Sequence, residues 1–101
     1  MKTLYSIPEI TTVVAPLAKQ YGADRIFLFG SYARGQANEQ SDIDLRIDKG
    51  SIRGLQFAGL LGDLEDRFGK SVDLISSAAM DDAFLKQIEP EEVLIYERES
   101  A

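Results

Sequence analysis

The segment Asp42-Ile43-Asp44-Leu45-Arg46-Ile47-Asp48 decides the fold of this chain. Apolar and charged residues alternate along it with a period of two, which is typical of a β-strand with one buried face and one polar face. Asp42 and Asp44 are therefore expected on the same face, with Cα atoms about 6.6 Å apart. Two carboxylates this close repel each other unless a cation lies between them. The pair is either a site for a hard divalent metal or a solvated strand face.

A second predicted strand precedes this one. The continuous apolar run Arg25–Phe29 indicates a central strand buried on both faces, and it stops abruptly at Gly30-Ser31. A helical turn, Tyr32–Gly35, follows. Backbone N–H groups at such a turn, the Ser31 hydroxyl and the Arg34 guanidinium are donors of the kind that hold phosphate. A simple Gly-Ser turn is the alternative.

The flanking sequence predicts helices that alternate with short strands. A helix begins at the capping sequence Ser6-Ile7-Pro8-Glu9 and ends near Tyr21, and Pro16 is expected to kink or divide it. The other predicted elements are a helix over 52–68, a strand over 72–75, a short helix over 81–88 and a last strand over 93–96. This order predicts an α/β (α+β) fold, in which helices flank a small mixed β-sheet.

Glycines interrupt the predicted helix over 52–68. Gly54, Gly59 and Gly62 each cost about 1 kcal/mol relative to Ala inside a helix. Such glycines either allow a close approach of a sheet or partner, or reflect sequence drift in a marginal helix.

The composition of the chain limits the kinds of catalytic chemistry that it can perform. The chain has 101 residues, which predicts a single domain over 1–101, and it contains neither Cys nor His. Thiol nucleophiles, zinc thiolates and the Ser-His-Asp triad are therefore excluded, and catalysis must use carboxylates, Lys or Arg, hydroxyls or an oxygen-bound metal. A net charge of −6 argues against direct nucleic-acid binding. No apolar run approaches the roughly 20 residues of a membrane span, so no membrane association and a cytoplasmic location are expected.

The Gly-Ser turn and the pair of aspartates together indicate a function more specifically than either motif alone. The segments Gly30-Ser31-Tyr32-Ala33-Arg34-Gly35 and Ser41-Asp42-Ile43-Asp44-Leu45, with ten residues between the Gly-Ser pair and the first aspartate, resemble the signature of the DNA polymerase beta nucleotidyltransferase superfamily. More narrowly, the chain resembles the minimal nucleotidyltransferases (MNT), which consist of the catalytic core alone. The resemblance covers nearly the whole chain, and Val72-Asp73-Leu74 resembles the strand that carries the family's third carboxylate.

This resemblance implies a role for each residue. Asp42, Asp44 and Asp73 are the implied catalytic residues and ligands of two Mg²⁺ ions. Gly30 and Ser31 are implied to hold the phosphates of ATP. The resemblance implies less directly that Arg34 contacts a phosphate or the partner. The side chain of Asp73 can join the acidic face only if its strand lies beside that of Asp44.

The family resemblance also implies a partner. Minimal nucleotidyltransferases usually act with a HEPN-domain toxin, so the implied role is that of an antitoxin that transfers AMP from ATP to a tyrosine hydroxyl of this partner in a hetero-oligomer. Two alternatives stay open: an antitoxin that neutralises its partner by binding and occlusion without catalysis, and a homo-oligomeric enzyme that modifies a small molecule.

Overall fold

Four helices and four strands alternate along residues 4–99, the part of the chain that this computed structural model describes. The helices are α1 (Ile7–Tyr21), α2 (Gly30–Ala33), α3 (Leu55–Phe68) and α4 (Asp82–Ile88). The strands are β1 (Arg25–Phe29), β2 (Ile43–Asp48), β3 (Val72–Ser76) and β4 (Val93–Glu97). Short 3-10 helices at Ser77–Ala79 and Glu89–Glu91 flank α4. The order of elements agrees with the sequence prediction.

The strands form one mixed sheet in the order β3-β2-β1-β4. β1 pairs antiparallel with both β2 and β4, whereas β2 and β3 run parallel. The predicted fold class, a small mixed sheet flanked by helices, is confirmed. This order places β3 directly beside β2, which is the condition that the sequence analysis set for Asp73.

The two faces of the sheet have opposite character, as the alternation in β2 predicted. The inward side chains of β2 are fully buried under α1 and α3 and belong to one apolar cluster: Ile43, Leu45 and Ile47. Asp44, Arg46 and Asp48 project from the other face. Phe84 of α4 covers part of that second face, with its ring edge-on to the Phe29 ring at 6.0 Å. The polar face of β2 therefore lies on the side of the sheet opposite the main apolar core.

Helix α1 confirms the predicted cap and contains Pro16 without being divided by it. The Ser6 hydroxyl accepts a hydrogen bond from the Glu9 N–H at 3.2 Å, and the Glu9 carboxylate accepts one from the Ser6 N–H at 2.8 Å. Of the two effects expected of Pro16, a kink or a division, the division does not occur: α1 continues from Ile7 to Tyr21. Apolar side chains on both sides of Pro16, those of Val14 and Leu17, are buried in the core, and this packing supports a continuous helix.

The start of α3 differs from the prediction. The helix begins at Leu55 rather than Ile52, because Gly54 adopts a φ of 48°, a backbone conformation that does not continue a helix. Only Gly59 and Gly62 lie inside α3. A Cβ on Gly59 would lie 3.1 Å from the Tyr21 hydroxyl, so this glycine allows α1 and α3 to approach closely. A Cβ on Gly62 would meet open space.

Within residues 4–99, no helix combines the length and the apolar character that crossing a bilayer needs.

Candidate active site

The Gly-Ser turn lies directly against β2. Gly30 follows the last residue of β1 with a φ of 75°, in the left-handed region that favours glycine. A Cβ at Gly30 would overlap the Asp44 carboxylate and would lie 3.1 Å from its Cγ. Glycine is therefore needed here for two reasons: the backbone conformation, and the close approach of a carboxylate to the turn.

Asp44 and Asp73 form the centre of the site. The parallel register of β2 and β3 pairs Asp44 with Asp73, and the antiparallel register of β1 and β2 pairs Asp44 with Phe29. Burial raises the pKa of Asp44 to about 7, and a side-chain hydrogen bond with Asp73 and the charge of that carboxylate add to the effect. The neutral form of Asp44 is therefore favoured, because two ionised carboxyl groups side by side would repel each other.

Asp42 lies at the margin of this pair. The predicted strand over 42–48 begins one residue later, at Ile43, so Asp42 immediately precedes β2 and its side chain is exposed. Its charge still raises the pKa of Asp44, whereas the positive charge of Arg34 lowers it. Among residues 4–99, no three Asp, Glu, His or Cys side chains already form a metal-binding group.

The donor set nevertheless fits a hard divalent cation. The pair of Asp44 and Asp73 offers only oxygen ligands, which Mg²⁺ prefers. Burial and the neighbouring Asp73 carboxyl group raise the pKa of Asp44, so positive charge between the two groups would relieve their repulsion. A bound cation would supply that charge, and the exposed Asp42 would have to turn toward it.

The predicted phosphate donors already hold an anion, and this anion belongs to the protein. The Gly30 N–H donates a 2.6 Å hydrogen bond to Glu91 Oε2. Arg34 Nη1 lies 3.2 Å from both carboxylate oxygens of Glu91. The Arg34 Nε–H donates to Gln36 Oε1 at 3.1 Å, which fixes the guanidinium further. The Gly30 N–H and the Arg34 guanidinium, which were expected to bind phosphate, therefore bind the Glu91 carboxylate.

Ser31 takes part in the turn through its backbone. Its carbonyl oxygen accepts a hydrogen bond from the Gln36 N–H at 2.9 Å, and the residue is half-buried. Tyr32, the next residue, is 4% exposed and packs in the core.

A second ion pair lies on the same face of the sheet. Arg46, two residues after Asp44, donates to the Glu92 carboxylate from Nε and Nη2 at 2.5 and 2.8 Å, and to Ser77 Oγ from Nη1 at 2.8 Å. Its guanidinium lies 4.1 Å from the centre of the Phe27 ring, and the hydrogen bond to Glu92 raises the pKa of Arg46. This network ties the segment before β4 to the polar face.

Sequence reasoning missed Glu91, Glu92 and Arg46. The partners are distant in sequence: Gly30 and Glu91 are 61 residues apart, and Arg46 and Glu92 are 46 apart. The one available signal was the acidic segment before the last strand, because pairing of Val93 with Leu28 brings it to the end of β1. The sequence analysis did not predict that pairing.

Comparisons with known proteins identify the family to which this chain is similar. The family described as Polymerase beta, Nucleotidyltransferase matches residues 12–101. The protein adenylyltransferase MntA of Thermococcus cleftensis is 35% identical over 97 residues, which cover 94% of this chain and 98% of that protein. A solved structure provisionally described as a minimal nucleotidyltransferase is 30% identical, with a TM-score of 0.78 and coverage of 91% of this chain and 98% of that one.

A more distant likeness concerns the fold alone. The MNT antitoxin structure solved in complex with a tri-AMPylated Shewanella oneidensis HEPN toxin is 17% identical and has a TM-score of 0.69. The likeness covers 91% of this chain and 73% of that one. The family match and the relatives of nearly equal length lead to one conclusion. The chain belongs to the polymerase beta nucleotidyltransferase family and, within it, to the minimal nucleotidyltransferases.

Proposed function

We propose that this protein is an Mg²⁺-dependent protein adenylyltransferase that transfers AMP from ATP to a tyrosine hydroxyl of a HEPN toxin partner and so acts as its antitoxin. Asp42, Asp44 and Asp73 would hold two Mg²⁺ ions. Gly30, Ser31 and Arg34 would hold the phosphates of ATP.

One observation carries the proposal. The carboxyl group of Asp44, which the register of β2 and β3 places beside Asp73, lies against a glycine whose N–H holds an anion. A nucleotidyltransferase needs these two features side by side: carboxylates that hold cations, and backbone and guanidinium donors that hold phosphates. The separate alternatives weighed for each motif, a solvated strand face and a simple turn, do not account for their direct contact.

The proposed reaction is an in-line displacement at the α-phosphorus of ATP. The acceptor oxygen forms a bond to the α-phosphorus as the bond to the bridging oxygen of the β-phosphate breaks, and pyrophosphate leaves. Asp73 accepts the proton of the attacking hydroxyl or helps to align that hydroxyl. Bound Mg²⁺ supplies positive charge to the triphosphate and to the developing charge of the transition state. The turn at Gly30 and Ser31 orients the phosphates for the displacement.

The partner rests on the relatives and on charge. The relative MntA is named a protein adenylyltransferase, and a structure with the same fold is an MNT antitoxin bound to an AMPylated HEPN toxin. The net charge of −6 suits a basic partner, such as a protein with an RNA-binding cleft.

The test is a labelling assay with the product of the adjacent gene. The purified pair is incubated with Mg²⁺ and ATP labelled at either the α- or the γ-phosphate, and label is expected on the partner only from the α-position. Asp44→Asn should lower this transfer by at least about a hundredfold, because a charged ligand at the reacting centre is lost. Asp66→Asn, a change of the same charge at an exposed position of α3, is the matched control.

The same variants separate catalysis from occlusion. If Asp44→Asn abolishes transfer and also fails to neutralise the toxicity of the partner, the enzymatic role is supported. If neutralisation is undiminished when transfer is lost, binding and occlusion replace the enzymatic antitoxin. If label still appears on the partner after its acceptor tyrosine is changed to Phe, the proposed acceptor is wrong.

A further inference from the structure

The position of Glu91 has a consequence for nucleotide affinity, and it rests on the proposed function. The two donors that Glu91 engages, the Gly30 N–H and the Arg34 guanidinium, are donors expected to hold the triphosphate. A single N–H donates one good hydrogen bond, so the Glu91 carboxylate and a phosphate oxygen cannot both occupy it.

The backbone near Glu91 is fixed on both sides. Glu91 ends the 3-10 helix Glu89–Glu91, and the next residue, Glu92, is held by two charge-assisted hydrogen bonds from Arg46. The Glu92 N–H also donates to the Ile88 carbonyl at 3.1 Å. The Arg46 and Glu92 side chains are only 12% and 7% exposed. These contacts anchor the backbone next to Glu91, so the smallest movement that releases Glu91 from the turn is a rotation of its own side chain.

That side chain has a path to solvent. It is 22% exposed, and the Arg34 side chain that it contacts is 44% exposed. The partly exposed ion pair with Arg34 contributes little to stability, whereas the short hydrogen bond from the Gly30 N–H adds to the cost of moving Glu91. Rotation of Glu91 into water is a small movement that would free both donors at once, and an incoming phosphate oxygen would replace the hydrogen bond that Gly30 loses.

We infer that Glu91 is an affinity-determining residue for the triphosphate: its carboxylate occupies the phosphate position of the Gly30 turn in the nucleotide-free protein and must leave when ATP binds. Its negative charge opposes the polyanion as well as competing for the donors. The same competition weakens the hold on released pyrophosphate. The opposite role, in which Glu91 positions Gly30 and Arg34 for the nucleotide, predicts the opposite change when the carboxylate is removed.

The test is calorimetric titration with Mg²⁺ and two probes, a nonhydrolysable ATP analogue and inorganic pyrophosphate. Glu91→Gln should lower the Kd for both probes by about tenfold, since a charged competitor becomes a neutral one. Glu91→Ala, which removes the acceptor altogether, should change both values in the same direction. Glu89→Gln makes the same charge change at an exposed position of the same 3-10 helix and should leave both Kd values within about twofold.

A spectroscopic readout tests the contact without nucleotide. The Gly30 amide proton should lie far downfield in the wild type because of its short bond to a carboxylate, and it should move upfield in Glu91→Gln. An unchanged Gly30 resonance overturns the inference.

The binding results distinguish a failure of the inferred role of Glu91 from a failure of the proposed ATP site. If the wild type binds the analogue and Glu91→Gln binds it equally or more weakly, the role of Glu91 is wrong and the proposed site stands. If neither protein binds the analogue, the ATP site and the role of Glu91 both fail.

Discussion

Asp44 should make the metal-free protein less stable at high pH, and Asp44→Asn should remove this penalty. An unfolded Asp ionises near 3.8, whereas burial and contact with Asp73 raise the pKa of Asp44 to about 7 in the folded protein. Between these values the folded state holds a proton that the unfolded state has lost. This contribution to stability is therefore fully present below about pH 4 and is lost as the pH rises through 7.

The size of the effect follows from the shift. A rise from 3.8 to about 7 corresponds to at most about 4 kcal/mol. Because Asp44 is half-buried, solvent screening lowers this figure, and we expect about 1–2 kcal/mol. For a chain of this length, that is about 5–10 °C in the melting temperature.

The assay is thermal and urea unfolding of the wild type and Asp44→Asn at pH 5 and pH 8 without divalent cations. Asp44→Asn should exceed the wild type in stability by more at pH 8 than at pH 5, because ionisation of Asp44 favours the unfolded state increasingly from about pH 4 until the folded state ionises near pH 7. Added Mg²⁺ should stabilise the wild type at pH 8 more than the variant. Asp66→Asn serves as the control for a general charge effect. An equal difference at both pH values, or a less stable Asp44→Asn at pH 8, would refute the reasoning.

Three further changes test the packing around the site. Gly30→Ala should lower the free energy of unfolding by about 1–3 kcal/mol and abolish transfer, because of its φ of 75° and the overlap with a carboxylate; urea unfolding and the labelling assay measure the two effects. Arg46→Gln should lower the free energy of unfolding, measured with urea, by about 3–5 kcal/mol, because it leaves the nearly buried Glu92 carboxylate without its cation. The double variant Arg46→Gln/Glu92→Gln should lose less, and an equal loss would contradict this reasoning. Gly62→Ala should stabilise α3 by about 1 kcal/mol in thermal unfolding, whereas Gly59→Ala should gain less because its Cβ would lie 3.1 Å from the Tyr21 hydroxyl; equal gains would argue against the close contact.

The local part of the fold could be predicted from the sequence. The alternation along β2 predicted its buried and polar faces, because side chains on a strand alternate sides whatever the surroundings. The capping box of Ser6 and Glu9 lies within four residues of sequence and was predicted for the same reason. Gly54 shows the limit of this reasoning: the apolar spacing extended the helix backward to Ile52, whereas the backbone at one glycine set its start.

The long-range part of the site could not be predicted. The proximity of Asp73 to Asp44 depends on which strand lies beside β2, and periodicity within a strand does not specify its neighbour. Glu91 reaches Gly30 only because β4 pairs antiparallel with β1 on the opposite edge. The motif thus predicted the candidate site residues, but not that Glu91 contacts two of them, Gly30 and Arg34.

The charges of the site are balanced within the protein. A raised pKa favours the neutral form of Asp44 beside Asp73, where the proposed site needs a cation, and Glu91 lies where the proposed site needs a phosphate. A proton on Asp44 has the same sign of charge as the proposed cation, and the Glu91 carboxylate has the same sign as the proposed phosphate. Binding of Mg²⁺ alone would leave Glu91 on the turn, and binding of triphosphate alone would bring four negative charges to an acidic face. The arrangement therefore favours arrival of the metal and the triphosphate together, because only their complex replaces the proton and the carboxylate at once.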